Sequence, residues 1–244
     1  MPLKHLGFTR SACHRDHAVL TPDTFVRAPL PGMKQATAIL HASARMGAAF
    51  SEYTAELEAG GVLGPTAAQR FLFVLSGSVI LEFGGEAHSL RADGYAFLPE
   101  GCAHAVTASE PSRVEVIEKP YVRLAGVSDP WPLAGDERAV AGRPLGGDDG
   151  LNVRTLLPAD PAFDMAVNTM IYAPGATLPM VEIHVMEHGC LMLEGEGLFR
   201  LADQWYPVTA GDFTWMGPYC PQWFAGLGKA RARYLIYKDW NRAG

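Results

Sequence analysis

The chain repeats itself. The segment FLFVLSGSVILEF (71–83) followed by DGYAFLPEGCAH (93–104) is echoed by CLMLEGEGLFRL (190–201) followed by GDFTWMGPYCPQ (211–222). Laying Gly77 on Gly195 sets the offset at 118 residues, and His104 then falls on Gln222 without a gap. Self-similarity at a fixed offset means two copies of one structural unit, and 244 residues are enough to give each copy its own core. Short apolar runs bounded by Gly, Pro or Asp recur at 71–75, 79–83, 95–98 and 114–117, then at 168–172, 190–193, 198–201, 213–216 and 234–237. Runs of this length between turn formers predict strands. Only 39–46 (ILHASARM) has a helical look, and it is too short and weakly capped to support an α class. The expectation is an all-β chain of two tandem β-barrels.

The two copies set the organisation. Residues 1–125 form the N-terminal barrel with an N-terminal arm, and 151–244 the C-terminal barrel. Between them 126–150 is a connection, within a stretch (120–150) rich in Pro, Gly and Asp with little periodicity. The first 30 residues carry no assignment; such an arm can add an edge strand to the other barrel or to a neighbouring subunit. A net charge of −6 without a basic block excludes the cationic stripe that phosphate backbones require. No run reaches 18 apolar residues and the N-terminus has no apolar signal core, so a soluble, cytoplasmic protein without membrane or nucleic-acid partners is expected. Cys13, Cys102, Cys190 and Cys220 lie far apart without Cys-x-x-Cys spacing and read as reduced, packing thiols.

Chemistry concentrates in the second copy, where 181–188 reads VEIHVMEH. As a strand, its period of two places Glu182, His184, Met186 and His188 on one face and Ile183, Val185 and Glu187 on the other. A carboxylate and two imidazoles facing inward are costly to bury without a partner, and a metal ion is the partner they share best. Gln222, at the start of a later strand, can bring an amide oxygen to the same point. Met186 then becomes pocket wall, and Glu187 a solvated residue. Shifting these ligands back by 118 lands on Gly64, Thr66, Arg70 and His104, of which only His104 binds a transition metal well. The first barrel is expected to be metal-free.

The spacing G175-x6-E182-x-H184-x3-H188-x6-G195, then G211-x10-Q222, resembles the two cupin motifs with altered ligands. Glu182 stands first, His188 stands where the usual Glu would be, and Gln222 replaces the last His. That set is similar to the (S)-ureidoglycine aminohydrolase family of allantoin degradation. The segments 18–23 (AVLTPD), 172–176 (YAPGA), 182–189 (EIHVMEHG) and 237–242 (YKDWNR) extend the resemblance from about residue 8 to the C-terminus. It implies a bicupin, a jelly-roll-like pair of barrels, with one Mn²⁺ per chain held by Glu182, His184, His188 and Gln222. The implied reaction converts ureidoglycine into ureidoglycolate and ammonia, and the implied assembly is a homo-oligomer.

From the family's substrate pocket, Tyr234 and Lys238 carry over, four apart on a strand and so on one face. The implied catalytic set is Glu182, Tyr234 and Lys238. Lys238 would pair with the substrate carboxylate and the Tyr234 hydroxyl would orient a substrate heteroatom. Met170, Phe199 and Gln222 complete the substrate-binding set. At Phe199 the family often has a tyrosine, so one hydroxyl contact is missing here. Two other readings compete: an Fe(II) cupin dioxygenase, which Gln222 disfavours by using a coordination position, and a non-catalytic small-molecule-binding bicupin.

Overall fold

The computed structural model describes residues 7–239, and 240–242 of the family-like C-terminal segment lie outside the described residues. All nine apolar runs fall inside strands. Among the described residues the only helical turns are 3₁₀ turns at Pro22–Thr24 and Glu137–Ala139, and the helical-looking 39–46 is the end of the strand Lys34–Ala42 and the turn after it.

The first barrel is one sheet. From its edge the order is Leu133–Asp136, Gly94–Leu98, Gln69–Ser76, Ser112–Lys119, Ser51–Val62, His104–Ala108, Ser78–Phe83 and Glu86–Arg91, with Lys34–Ala42 also on Ser51–Val62. The second barrel has an eight-stranded sheet in the order Ala12–Cys13, His17–Leu20, Phe213–Met216, His188–Glu194, Ala232–Lys238, Ala166–Tyr172, Asp148–Thr155 and Arg143–Leu145. A three-stranded sheet of Gln204–Thr209, Glu196–Leu201 and Gln222–Leu227 packs across it. The N-terminal arm thus supplies edge strands to the opposite barrel, one of the two roles expected of it. The connection is less featureless than its composition suggests, because it gives the edge strand Leu133–Asp136 to the first sheet and Arg143–Leu145 to the second.

Why the strands read as continuous apolar runs rather than alternating ones follows from three cores. Leu72, Val74, Val114 and Val116 fill the first barrel. Cys190, Met192, Tyr234 and Ile236 fill the second, with Phe199 and Phe224. The residues between them, Phe71, Phe73 and Ile117 on one side and Leu191, Leu235 and Tyr237 on the other, form a shared layer that also holds Phe213 and Trp215. A strand buried on both faces loses the polar half of its pattern. The glycines that anchored the repeat explain themselves too. Gly77 and Gly195 have φ of +78° and +73°, and a Cβ on either would strike backbone of the segment beside it, at Pro111 and Arg231 respectively.

Polar groups are buried in or beside the shared layer. Arg233 of the second barrel reaches Glu137 of the connection (3.1 Å), Asp93 of the first barrel (2.9 Å) and Glu194 (2.7 Å). Glu52 and Glu115 are both fully buried, with Glu52 pressed against the backbone at Gly189. Burial, with the like charge nearby, pushes Glu52 well above the usual 4.5, and burial raises Glu115 as well. A carboxyl whose folded value is raised stabilises the fold in its protonated form, so that contribution is complete below the ordinary carboxylate range and is lost as pH rises through the elevated value. The thermal unfolding midpoint should therefore fall between pH 6 and pH 9. Glu52→Gln should remove much of that fall and stabilise the protein at pH 9 by more than about 1 kcal/mol; parallel pH profiles of the two proteins would refute the assignment.

Candidate metal centre and substrate pocket

The segment 179–187 is not the strand that its alternation suggested. Pro179 removes a backbone donor, and the polar backbone groups that follow are taken by other partners. Glu182 and Gln222 exchange backbone hydrogen bonds (2.8 and 2.9 Å), Tyr219 N donates to His184 O at 2.7 Å, and Glu187 N donates to Asp239 Oδ1 at 2.9 Å. Only His188 belongs to a regular strand. Inside-outside alternation nevertheless survives, since Ile183 is 62% and Val185 36% exposed while Glu182, His184, Met186 and His188 line the same cavity. Glu187, expected to be solvated, is instead buried. Its carboxylate accepts from Ala49 N (2.8 Å) and Trp215 Nε1 (3.2 Å), tying the loop to the first barrel's chain.

Three of the four expected ligands close around His184. Its Nε2 stands 3.3 Å from His188 Nε2, 2.8 Å from the Gln222 amide nitrogen and 3.8 Å from Glu182 Oε2. Rotating the Gln222 amide by half a turn presents its oxygen at the same point. His188 donates its Nδ1–H to Tyr237 O at 3.1 Å, so its Nε2 carries a lone pair, and burial, with Lys238 and His184 adding, pushes its pKa well below the usual range. His184 Nδ1 is buried without a partner. Either tautomer of His184 leaves a conflict: a protonated Nδ1 has no acceptor and sets two Nε2 lone pairs face to face, whereas a protonated Nε2 leaves Nδ1 an orphaned acceptor. In the first case a divalent cation would take both Nε2 lone pairs, though not the Nδ1–H, because donors bound at right angles to an ion at about 2.1 Å stand about 3 Å apart. The donor set, two neutral imidazoles, an amide and a carboxylate without thiolate, suits a hard or borderline ion.

The cavity measures about 450 Å³ and is lined by all eight residues expected to form the site. His188 and Lys238 face each other across paired strands, as do Met170 and Tyr234. Lys238 is mostly buried and its pKa is lowered by that burial, an effect the Glu182 carboxylate opposes. The Tyr234 hydroxyl is less free than expected: it contacts Tyr172 Oη at 2.8 Å and donates to Met170 Sδ at 3.2 Å. Phe199 packs on Tyr234 and Phe224 and is 2% exposed.

Sequence reasoning missed Asn168 and Arg143, which also line the cavity. Asn168 shares the luminal face with Met170, so the period of two could have found it. Arg143 lies in the connection, where no pattern marked it. Also unforeseen, Asp16, His17 and Cys220 come close enough to share an ion. His17 already bonds Asp16 and Tyr206 through its two nitrogens (both 2.9 Å), and burial pushes the Cys220 thiol up to about 11, so the group is a packed hydrogen-bond cluster.

In the first barrel the repeat equates Arg70 with His188 and His104 with Gln222. Arg70 Nη1 lies 2.9 Å from His104 Nε2, its Nε and Nη2 donate to Glu118 Oε1 (2.8 and 2.6 Å), and Nη2 also reaches Gly64 O (2.9 Å). By the repeat, a fixed guanidinium charge stands where His188 stands in the second barrel, and it disfavours a further cation beside it.

A EutQ-like cupin domain model matches residues 45–121. Over 97% of its length the chain is 38% identical to the (S)-ureidoglycine aminohydrolase of Arabidopsis thaliana, covering 80% of that protein. It is 32% identical over 94% of its length to the enzyme of the same name from Escherichia coli (strain K12), covering 90% of it. The crystal structure of protein Ylba from E. coli superposes with a TM-score of 0.85 at 29% identity, over 96% of this chain and 95% of that one. With relatives this similar along almost its full length, the two-barrel chain and its pocket belong to the (S)-ureidoglycine aminohydrolase family, hydrolases acting on a C–N bond.

Proposed function

We propose that the chain hydrolyses (S)-ureidoglycine to (S)-ureidoglycolate and ammonia, with Mn²⁺ held by Glu182, His184, His188 and Gln222. The observation that carries this reading is the convergence of those four side chains on one cavity wall, with the Nε2 atoms of His184 and His188 3.3 Å apart, where a shared cation would take both lone pairs. A divalent ion there would supply a Lewis acid and a template for chelating substrate heteroatoms. The choice of manganese rests on the family resemblance, as the donor set admits other borderline ions.

The chain's own residues would bind and orient. Lys238, across from His188 and largely desolvated, offers an ammonium for the substrate carboxylate, and its low-dielectric setting strengthens that pairing. Met170, Phe199 and Ile236 wall the cavity and limit where water can stand. The Tyr172–Tyr234–Met170 chain fixes the Tyr234 hydroxyl, whose weak sulfur acceptor is easily exchanged for a substrate atom. The central carbon of ureidoglycine carries two nitrogens and loses ammonia readily. A wall that leaves one face open to water then decides which enantiomer forms.

Chiral analysis of ureidoglycolate formed from freshly generated ureidoglycine tests the reading. Mn²⁺-loaded protein should give an excess of the (S) product, whereas chelator-stripped protein should give racemate at the spontaneous rate; racemate from the loaded protein would end the proposal. Glu182→Ala should lose both bound manganese, by elemental analysis, and the enantiomeric excess. Lys238→Met should keep the metal and raise KM by roughly 10- to 100-fold, the loss of one charge-assisted contact; an unchanged KM would remove Lys238 from carboxylate binding.

A further inference from the structure

Among the cavity's lining residues is a neutral polar side chain, the amide of Asn168, with nothing to bond. Asn168 is 7% exposed, its Oδ1 is buried without a partner, and among the described residues no hydrogen bond reaches its side-chain amide. Several polar neighbours are already engaged: His188 bonds Tyr237 O, Tyr234 bonds Tyr172, and Trp223 Nε1 donates to Leu178 O. A buried, unpaired amide is costly, and a fold keeps one where a ligand completes it.

The register says where it points. Ala166 pairs with Lys238 and Asn168 with Ile236, so Asn168 and Lys238 are diagonal neighbours on the luminal face, about 7 Å apart at Cβ. A small acid whose carboxylate meets Lys238 therefore puts its next substituent within reach of Asn168. The amide is uncharged, which makes it a poor partner for a carboxylate or an ammonium beside two cations, Lys238 and Arg143. It presents a carbonyl and an N–H side by side in one plane. The complement of that edge is another planar group with the same pair, as in the carbonyl and terminal NH₂ of a urea.

We infer that Asn168 is a specificity residue that binds the ureido end of the substrate by a reciprocal pair of hydrogen bonds. It deepens the function proposed above and rests on it. Asn168 donates its Nδ2–H to the urea carbonyl and its Oδ1 accepts from the terminal NH₂, while Lys238 holds the carboxylate.

Calorimetric titration of the Mn²⁺-loaded protein with N-carbamoylglycine and N-acetylglycine provides the test. These ligands differ only in a terminal NH₂ against CH₃. The wild-type protein should bind the carbamoyl compound at least about tenfold more tightly. Asn168→Leu should abolish that preference while leaving the unligated melting temperature unchanged or raised, because an orphaned amide is replaced by an apolar group. A residue kept for structure alone would instead lower the melting temperature and leave the preference intact, which overturns the inference. Should Asn168→Leu not fold, Asn168→Asp, nearly isosteric but without the N–H donor, must weaken both ligands through the carbonyl they share while keeping the preference through its remaining acceptor; unchanged affinity for both would overturn the inference. If the wild-type protein binds neither ligand, the proposed function fails and this inference with it; if it binds both equally, only the inference falls.

Discussion

The apolar layer between the two barrels is the constraint on which the rest depends. Phe71, Phe73 and Ile117 meet Leu191, Leu235 and Tyr237 across it, so each barrel covers the outer sheet face that the other would leave wet. The strands Ala232–Lys238 and His188–Glu194 are pinned there through Leu235, Tyr237 and Leu191, and their opposite faces carry Tyr234, Lys238 and His188 into the cavity. Packing on one side of a strand thereby fixes chemistry on the other. Tyr237 does both jobs: its ring packs on Phe50 in the shared layer and its carbonyl sets the tautomer of His188.

The remaining residues of the proposed set depend on a different device. Glu182 and His184 sit on an irregular segment whose aim is set by the two-hydrogen-bond bridge to Gln222 and by Tyr219, while Glu187 anchors the same segment to Ala49 and Trp215. A site half on a strand and half on a tied loop combines a rigid reference with a segment that can accommodate ligand exchange.

Much of this was legible in the chain. Strand positions followed from turn-bounded apolar runs, and the placing of Glu182, His184, Met186 and His188 on one cavity wall from alternation across 181–188, which held even though that segment is not a strand. What stayed hidden depends on long-range packing. Glu187 looked solvated because nothing local announces that Trp215 and the first barrel's Ala49 will cover it. Glu52 and Glu115 look like ordinary strand acids, and only the second barrel's Gly189 reveals that their side of the sheet is interior. The connection read as featureless because its two short edge strands each lean on a different sheet, leaving no periodicity to detect.

Arg70 gives the two halves of the molecule different relationships to their surroundings. In the first barrel the central positive charge is covalent, synthesised with the chain and held by Glu118 and His104. In the second barrel the matching position holds His188, whose Nε2 carries a lone pair and no charge. The first barrel therefore closes its centre with its own side chains, and the shared wall lets that finished half brace the strands on which His188 and Lys238 stand.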